Sequence, residues 1–201
     1  MLEQRIQQQF NDSAQLKLQS AALLAAPVAQ AVGCIANALG NGGRILACGN
    51  GGSAADAQHF AAELIGRFER ERPELAALAL TTDTSILTAI ANDYGYEQVF
   101  ARQVRALGQP GDVLVAISTS GNSPSIVEAV RAAQDRDMLV VALSGKGGGR
   151  MTALLRDVDV HLCVPHDRTA RIQEVHLLML HCICDGVDCA LMGEPEEGHD
   201  S

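Results

Sequence analysis

At 201 residues, 47% hydrophobic and 19% charged, the chain is long enough for one domain with a full core and has the composition of a globular protein. A formal net charge of −9 argues against bulk nucleic acid or acidic membrane as a partner, and 3% aromatics with no Trp leave almost nothing for bases to stack on. Neither property excludes one small phosphate, which needs only a few local donors.

Residues 2 to about 40 read as helical, with loosely spaced apolar positions at Ile6, Phe10, Leu16 and Leu18. Pro27 is expected to divide this region into a two-helix hairpin. With no strand of its own to cover, the hairpin is expected to pair with another subunit. The polar start MLEQRIQQQF does not read as a signal peptide, and no apolar run approaches the roughly 20 residues of a membrane span. A cytoplasmic protein is expected, with no membrane and no direct nucleic-acid partner. Six cysteines (Cys34, Cys48, Cys163, Cys182, Cys184, Cys189) lie mostly within apolar runs without CxxC pairing, as small buried hydrophobes of a reducing compartment do.

After Asn41-Gly42-Gly43 the pattern changes to apolar runs at Ile45–Cys48, Leu75–Leu80, Val113–Ile117, Leu139–Leu143 and Val158–Val164. Helical stretches separate them at Ala54–Phe68, Thr84–Ala91 with Glu97–Leu107, Ser123–Arg136 and Met151–Leu155, and a last helix runs from about Thr169 to Leu191. Continuous apolar strands alternating with helices predict an α/β fold, a doubly wound parallel five-stranded sheet covered on both faces. The expected organisation is an N-terminal helical segment over 1–40, one α/β domain over 41–192 and an acidic, disordered tail over 193–201. Sheets of this kind bind ligands at the carboxyl ends of their strands, where the topology switches.

Two loops there attract attention. Gly49-Asn50-Gly51-Gly52-Ser53 follows the first strand, and Ser118-Thr119-Ser120-Gly121-Asn122-Ser123 follows the third. Ser123 before Pro124 makes a good helix start. Free amides and several hydroxyls beside a helix N-terminus can bind phosphate without lysine, the alternative being an ordinary capped turn. Lys146, in a glycine-rich turn after the fourth strand, lacks the spacing of a nucleotide-binding loop.

His59 and Glu63 sit four apart and so share a helix face, suited to binding a metal or moving protons but equally to facing solvent. The last helix offers Gln173, Glu174, His176, His181 and Asp185, and Gln173 and His181 are eight apart, near one another on one face. Asn92-Asp93 reads either as a turn or as a pair of sugar-hydroxyl acceptors.

Taken together, GNGGS, the following His and Glu, STSGNS, and RIQE with a downstream His resemble the sugar isomerase (SIS) fold, and more narrowly the phosphoheptose isomerases of bacterial lipopolysaccharide synthesis. The resemblance covers nearly the whole chain, and 41–192 then corresponds to the SIS domain. It implies one zinc ion per subunit held by His59, Glu63, Gln173 and His181, and phosphate contacts from Ser118, Thr119, Ser120 and Ser123. It places sugar contacts at Asn50, Gly51, Gly52, Ser53, Asn92 and Asp93, with Glu63 and Gln173 also facing the substrate. The implied reaction converts sedoheptulose 7-phosphate to D-glycero-D-manno-heptose 7-phosphate through an enediol, the first step of ADP-heptose synthesis. Glu63 is the candidate base and His181 the candidate acid, roles that the sequence allows to be exchanged. The resemblance also implies a homotetramer.

One departure is Ala170, where some relatives carry Asp; Asp167 or a water then has to assist proton transfer, or none is needed. A similar branch of the fold holds non-catalytic tetrameric regulators that bind the replication initiator protein. The complete His59/Glu63/Gln173/His181 set favours the enzyme, since a binding scaffold has no physical need of it.

Overall fold

Five apolar runs become strands because helices cover both of their faces. The structure, a computed structural model, describes residues 1–194. The strands are β1 (Ile45–Gly49), β2 (Ala77–Ala79), β3 (Val113–Ser118), β4 (Leu139–Ser144) and β5 (Val160–Cys163). They form one sheet in the order β2-β1-β3-β4-β5, every pair parallel. All residues of the central β1 and β3 are buried. The edge strands β2 and β5 each have a single neighbour and are shorter than the apolar runs that contain them.

The helices are α1 (Leu2–Gly40), α2 (Gly52–Ile65), α3 (Thr84–Tyr94), α4 (Val99–Leu107), α5 (Pro124–Asp135), the single turn α6 (Gly149–Thr152) and α7 (Thr169–Met192). On one sheet face, α1, α2 and α7 bury Leu24, Ile35, Phe60, Leu64, Ile172 and Ile183 against β1, β3 and β4. On the other, α4 and α5 bury Phe100, Val104, Ile126 and Val130, with Met138 closing the layer.

The expected N-terminal hairpin is instead one 39-residue helix with Pro27 inside it. Proline removes one backbone hydrogen bond and crowds the preceding turn, at a cost of about 3 kcal/mol. The buried stripe Leu16, Ser20, Leu24, Ala31, Ile35 and Ala38 keeps helical spacing on both sides of Pro27, so packing along the domain offsets the break.

A second correction concerns apolar length. Both α1 and α7 contain an 18-residue window as apolar as a membrane span. In α7 this reflects burial in the core, where Ile172, Val175, Leu180, Ile183 and Val187 are at most 2% exposed. The six cysteines are all free, and Cys48 and Cys184 are buried as expected, with burial pushing both thiols up to about 12. Cys182 departs from the expectation, being exposed on α7. Of the acidic tail, residues 195–201 lie outside the described residues.

Candidate active site

The chain leaves β1 for α2 on one sheet face and β3 for α5 on the other, so the carboxyl ends of these adjacent strands form a topological switch point. Both glycine- and hydroxyl-rich loops open there, since Gly49 is in register with Ile117 and Ser118 follows directly. Neither following helix has a side-chain cap. The starts of α2 and α5 therefore face one crevice, and the positive ends of the two helices favour an anion there.

Ser123 stands at the N-cap position of α5, but its hydroxyl does not cap the helix: Ser118 Oγ donates to Ser123 Oγ at 3.1 Å. Its carbonyl accepts from Ile126 N and Val127 N, starting the helix. Ser120 Oγ accepts from Asn122 N at 3.2 Å, and both Thr119 and Ser120 are half-buried. Asn122 fastens the loop: its Nδ2 donates to Ser120 O at 3.1 Å, and its Oδ1 accepts from Arg150 N at 2.9 Å. Gly121 has φ +64°, and a Cβ there would lie 1.8 Å from Gly148 O. No other residue fits that contact, so the hydroxyl loop rests directly on the glycine-rich turn after β4.

In the first loop, Gly51 and Gly52 are exposed to the crevice, whereas Ser53 is buried beneath it at 3%. Asn50 links three elements: its Nδ2 donates to Ser125 Oγ at 3.0 Å and its Oδ1 accepts from Tyr96 OH at 2.9 Å. Asn50, Tyr96, Glu97, Ser123, Pro124 and Ser125 line a cavity of about 260 Å³. Asn92 and Asp93 lie on the last turn of α3 rather than in a turn after it; both are exposed, and Asn92 Nδ2 donates to Asp93 Oδ1 at 2.8 Å.

The second part of the site comes from α2 and α7. His59 Nε2 and His181 Nε2 are 2.9 Å apart, and Glu63 Oε1 is 3.3 Å from His59 Nε2. The two rings meet edge to face with centroids 5.2 Å apart, and Phe68 backs His181 at 5.5 Å. Gln173, in the second turn of α7, reaches the first loop: a Cβ on Gly52 would lie 2.5 Å from Gln173 Nε2. The glycine thus admits the amide to the first loop, while His59, Glu63 and His181 gather where α2 meets α7. Among the described residues, no group of three or more His, Cys, Asp or Glu side chains has the spacing to hold a metal.

Several neighbours take other roles. His176 is fully buried, its Nε2 bonded to Ser144 O at 3.0 Å, and burial pushes its pKa down to about 4. It anchors α7 to β4. Glu174 pairs with Arg171 at 2.5 Å, while Lys146, Asp185, Asp167 and Ala170 are exposed. Sequence reasoning missed Tyr96, Ser125, Phe68 and Asp56. Asp56 lies one turn before His59; burial pushes its carboxyl up against the opposing pull of His59, and its Oδ2 is buried with no hydrogen-bond partner. The spacing Asp56/His59/Glu63 was the signal available for it.

Comparison with known proteins places these features. The SIS domain family matches residues 9–145. The phosphoheptose isomerase of Azoarcus sp. (strain BH72) is 69% identical over 192 residues, covering 96% of this chain and 98% of the relative. The structure of a phosphoheptose isomerase from Neisseria gonorrhoeae superposes with a TM-score of 0.90 at 57% identity, over 94% of this chain and 99% of that one. The corresponding Francisella tularensis structure gives a TM-score of 0.91 at 45% identity, over 94% and 98%. A parallel sheet with its switch-point crevice, the two loops and identity of this extent together mean that the chain belongs to the phosphoheptose isomerase family of SIS-domain proteins.

Proposed function

We propose that this chain is the isomerase its family name describes, converting sedoheptulose 7-phosphate to D-glycero-D-manno-heptose 7-phosphate in the cytoplasm, at the entry to ADP-heptose and lipopolysaccharide core synthesis. The observation that carries this reading is the pairing of an anion-suited crevice with an imidazole–carboxylate cluster from α2 and α7. Identity of 69% to a named isomerase favours it over the non-catalytic regulator of the replication initiator protein.

The phosphate would sit on Ser118, Thr119, Ser120 and Ser123 at the start of α5, and the sugar along Asn50, Gly51, Gly52 and Ser53 towards Gln173, with Asn92 and Asp93 at its outer end. Glu63 then removes the proton from the carbon beside the carbonyl, and His181 returns one to the neighbouring carbon after the enediol forms. Half-burial of Glu63 beside His59 limits the water around the carboxylate that takes the proton. Phe68 keeps water from one face of the His181 ring.

The donor chemistry of two imidazoles, a carboxylate and an amide oxygen suits one zinc ion per subunit on His59, Glu63, Gln173 and His181, although the side chains as they stand are not at metal-holding spacing. Tetrahedral ligands at zinc distances lie about 3.3 Å apart, which matches the 3.3 Å between His59 and Glu63. The imidazole pair at 2.9 Å must open slightly to admit the ion. When bound, zinc supplies a Lewis acid that polarises a sugar oxygen. A homotetramer is proposed on the exposed Ile6, Phe10, Leu18 and Leu23 along α1 and Leu178 on α7, an apolar surface that further copies would cover.

Turnover of sedoheptulose 7-phosphate by the purified protein, before and after chelation and zinc add-back, tests the reading. Zinc-restored activity is expected. A folded, zinc-loaded protein with no turnover returns the choice to the regulator, and light scattering that gives a monomer removes the tetramer.

A further inference from the structure

The irregular segment between α2 and β2 carries three arginines, and two of them, Arg70 and Arg72, tie it to helix ends outside both parts of the site. Arg72 has a side chain only 1% exposed, paired with Asp188 of α7 at 2.8 Å, itself 4% exposed. The same guanidinium donates from Nη2 to Glu63 O at 2.7 Å and from Nη1 to Leu64 O at 2.8 Å and Pro73 O at 3.1 Å. Glu63 and Leu64 belong to the last turn of α2, whose carbonyls have no partner within the helix. A cation there also complements the negative end of the helix. Arg70 serves the end of α7 in the same way, donating to Asp188 O and, at 2.8 Å, to Gly193 O.

One guanidinium therefore touches the backbone of Glu63 itself and the helix that carries His181. We infer that Arg72 is a positioning residue: by tying the last turn of α2 to Asp188, it sets the spacing between His59 and Glu63 on one helix and His181 on the other. Planarity matters here, because several acceptors are met from fixed directions. A lysine ammonium keeps the charge but not the fork. The anion-suited loop after β3 has no bond to Arg72 among the described residues, so substrate affinity and turnover separate. The inference rests on the isomerase reading above.

The test compares wild type, Arg72→Lys and Asp188→Asn by steady-state kinetics with sedoheptulose 7-phosphate and by thermal unfolding. Arg72→Lys is expected to fold and to lose at least tenfold in kcat with KM within about twofold of wild type. Asp188→Asn keeps the shape and the bonds to α2, and is expected to lose less kcat, again at constant KM. Wild-type kcat in a folded Arg72→Lys overturns the inference, as does an equal change in kcat and KM. If Arg72→Lys does not fold, Asp188→Asn decides by the same split. Failure of both to fold makes the arginine a stability element and also overturns it. Wild-type protein without turnover refutes the isomerase reading instead.

Discussion

The hydroxyl loop Ser118–Ser123 is six consecutive residues at the end of one strand, whereas the imidazole–carboxylate cluster brings His59 of α2 to His181, 122 residues further along. The loop is held by short-range bonds, Ser118 to Ser123 and Asn122 to Ser120, and by contact with the next turn. In the cluster only the His59–Glu63 pair is local, four residues apart on α2. The cluster's geometry depends on how α2 and α7 are seated, through Arg72, His176 and the core between them. Changes in the loop are therefore expected to act on binding, and changes around the cluster on turnover.

The sharpest break in that contrast is Glu63→Gln, which keeps size and helix propensity but removes the proposed base. Turnover is expected to fall about a thousandfold with the melting temperature and assembly unchanged; activity near wild type, measured on the same preparation, removes the assigned role. Acid comes next. His176 is held neutral with a pKa near 4 by burial, while the unfolded chain takes up its proton from about 6.5 downwards. Its contribution to stability is complete above pH 6.5 and is lost as pH falls towards 4, by roughly 3 kcal/mol. Urea titrations at pH 7 and pH 5 on wild type and His176→Gln check this, the variant showing the flatter dependence.

Ser123→Ala acts on the other half. With Ser123 holding the phosphate as proposed, loss of its hydroxyl, worth about 2 kcal/mol, is expected to raise KM about thirtyfold and leave kcat nearly intact. A fall in kcat alone contradicts the division of labour. The smallest effect belongs to Tyr96→Phe, which frees Asn50 Oδ1 from one hydrogen bond. About 1 kcal/mol, read as a fivefold change in kcat/KM, is the expected loss.

Local patterns were legible in the sequence because their causes are local. The strands follow from unbroken apolar runs, and the hydroxyl loop from its position after one of them. His59 and Glu63 were readable as a pair from helical spacing, but their approach to His181 is a tertiary fact that periodicity does not encode. Family resemblance supplied that link, and the structure brings those side chains together. Pro27 misled because its local cost is real, while the packing that outweighs it lies in other elements. The seats of Arg72 and His176 were illegible for the same reason. Each is decided by a partner far away in sequence, the Asp188 carboxylate 116 residues from Arg72 and Ser144 O 32 residues from His176, which no local pattern reports.

The backbone contact of Gly121 with Gly148 joins the loops after β3 and β4 into one piece. Met151 N donating to Gly121 O at 2.9 Å and Arg150 N donating to Asn122 reinforce the join. Surface loops in general accept insertions readily, but the turn at Gly145–Gly149 has no such latitude. A lengthened turn there has to displace the loop beneath it, so graft points for a reporter or an affinity tag belong elsewhere, on the exposed turn at Asn41–Gly42.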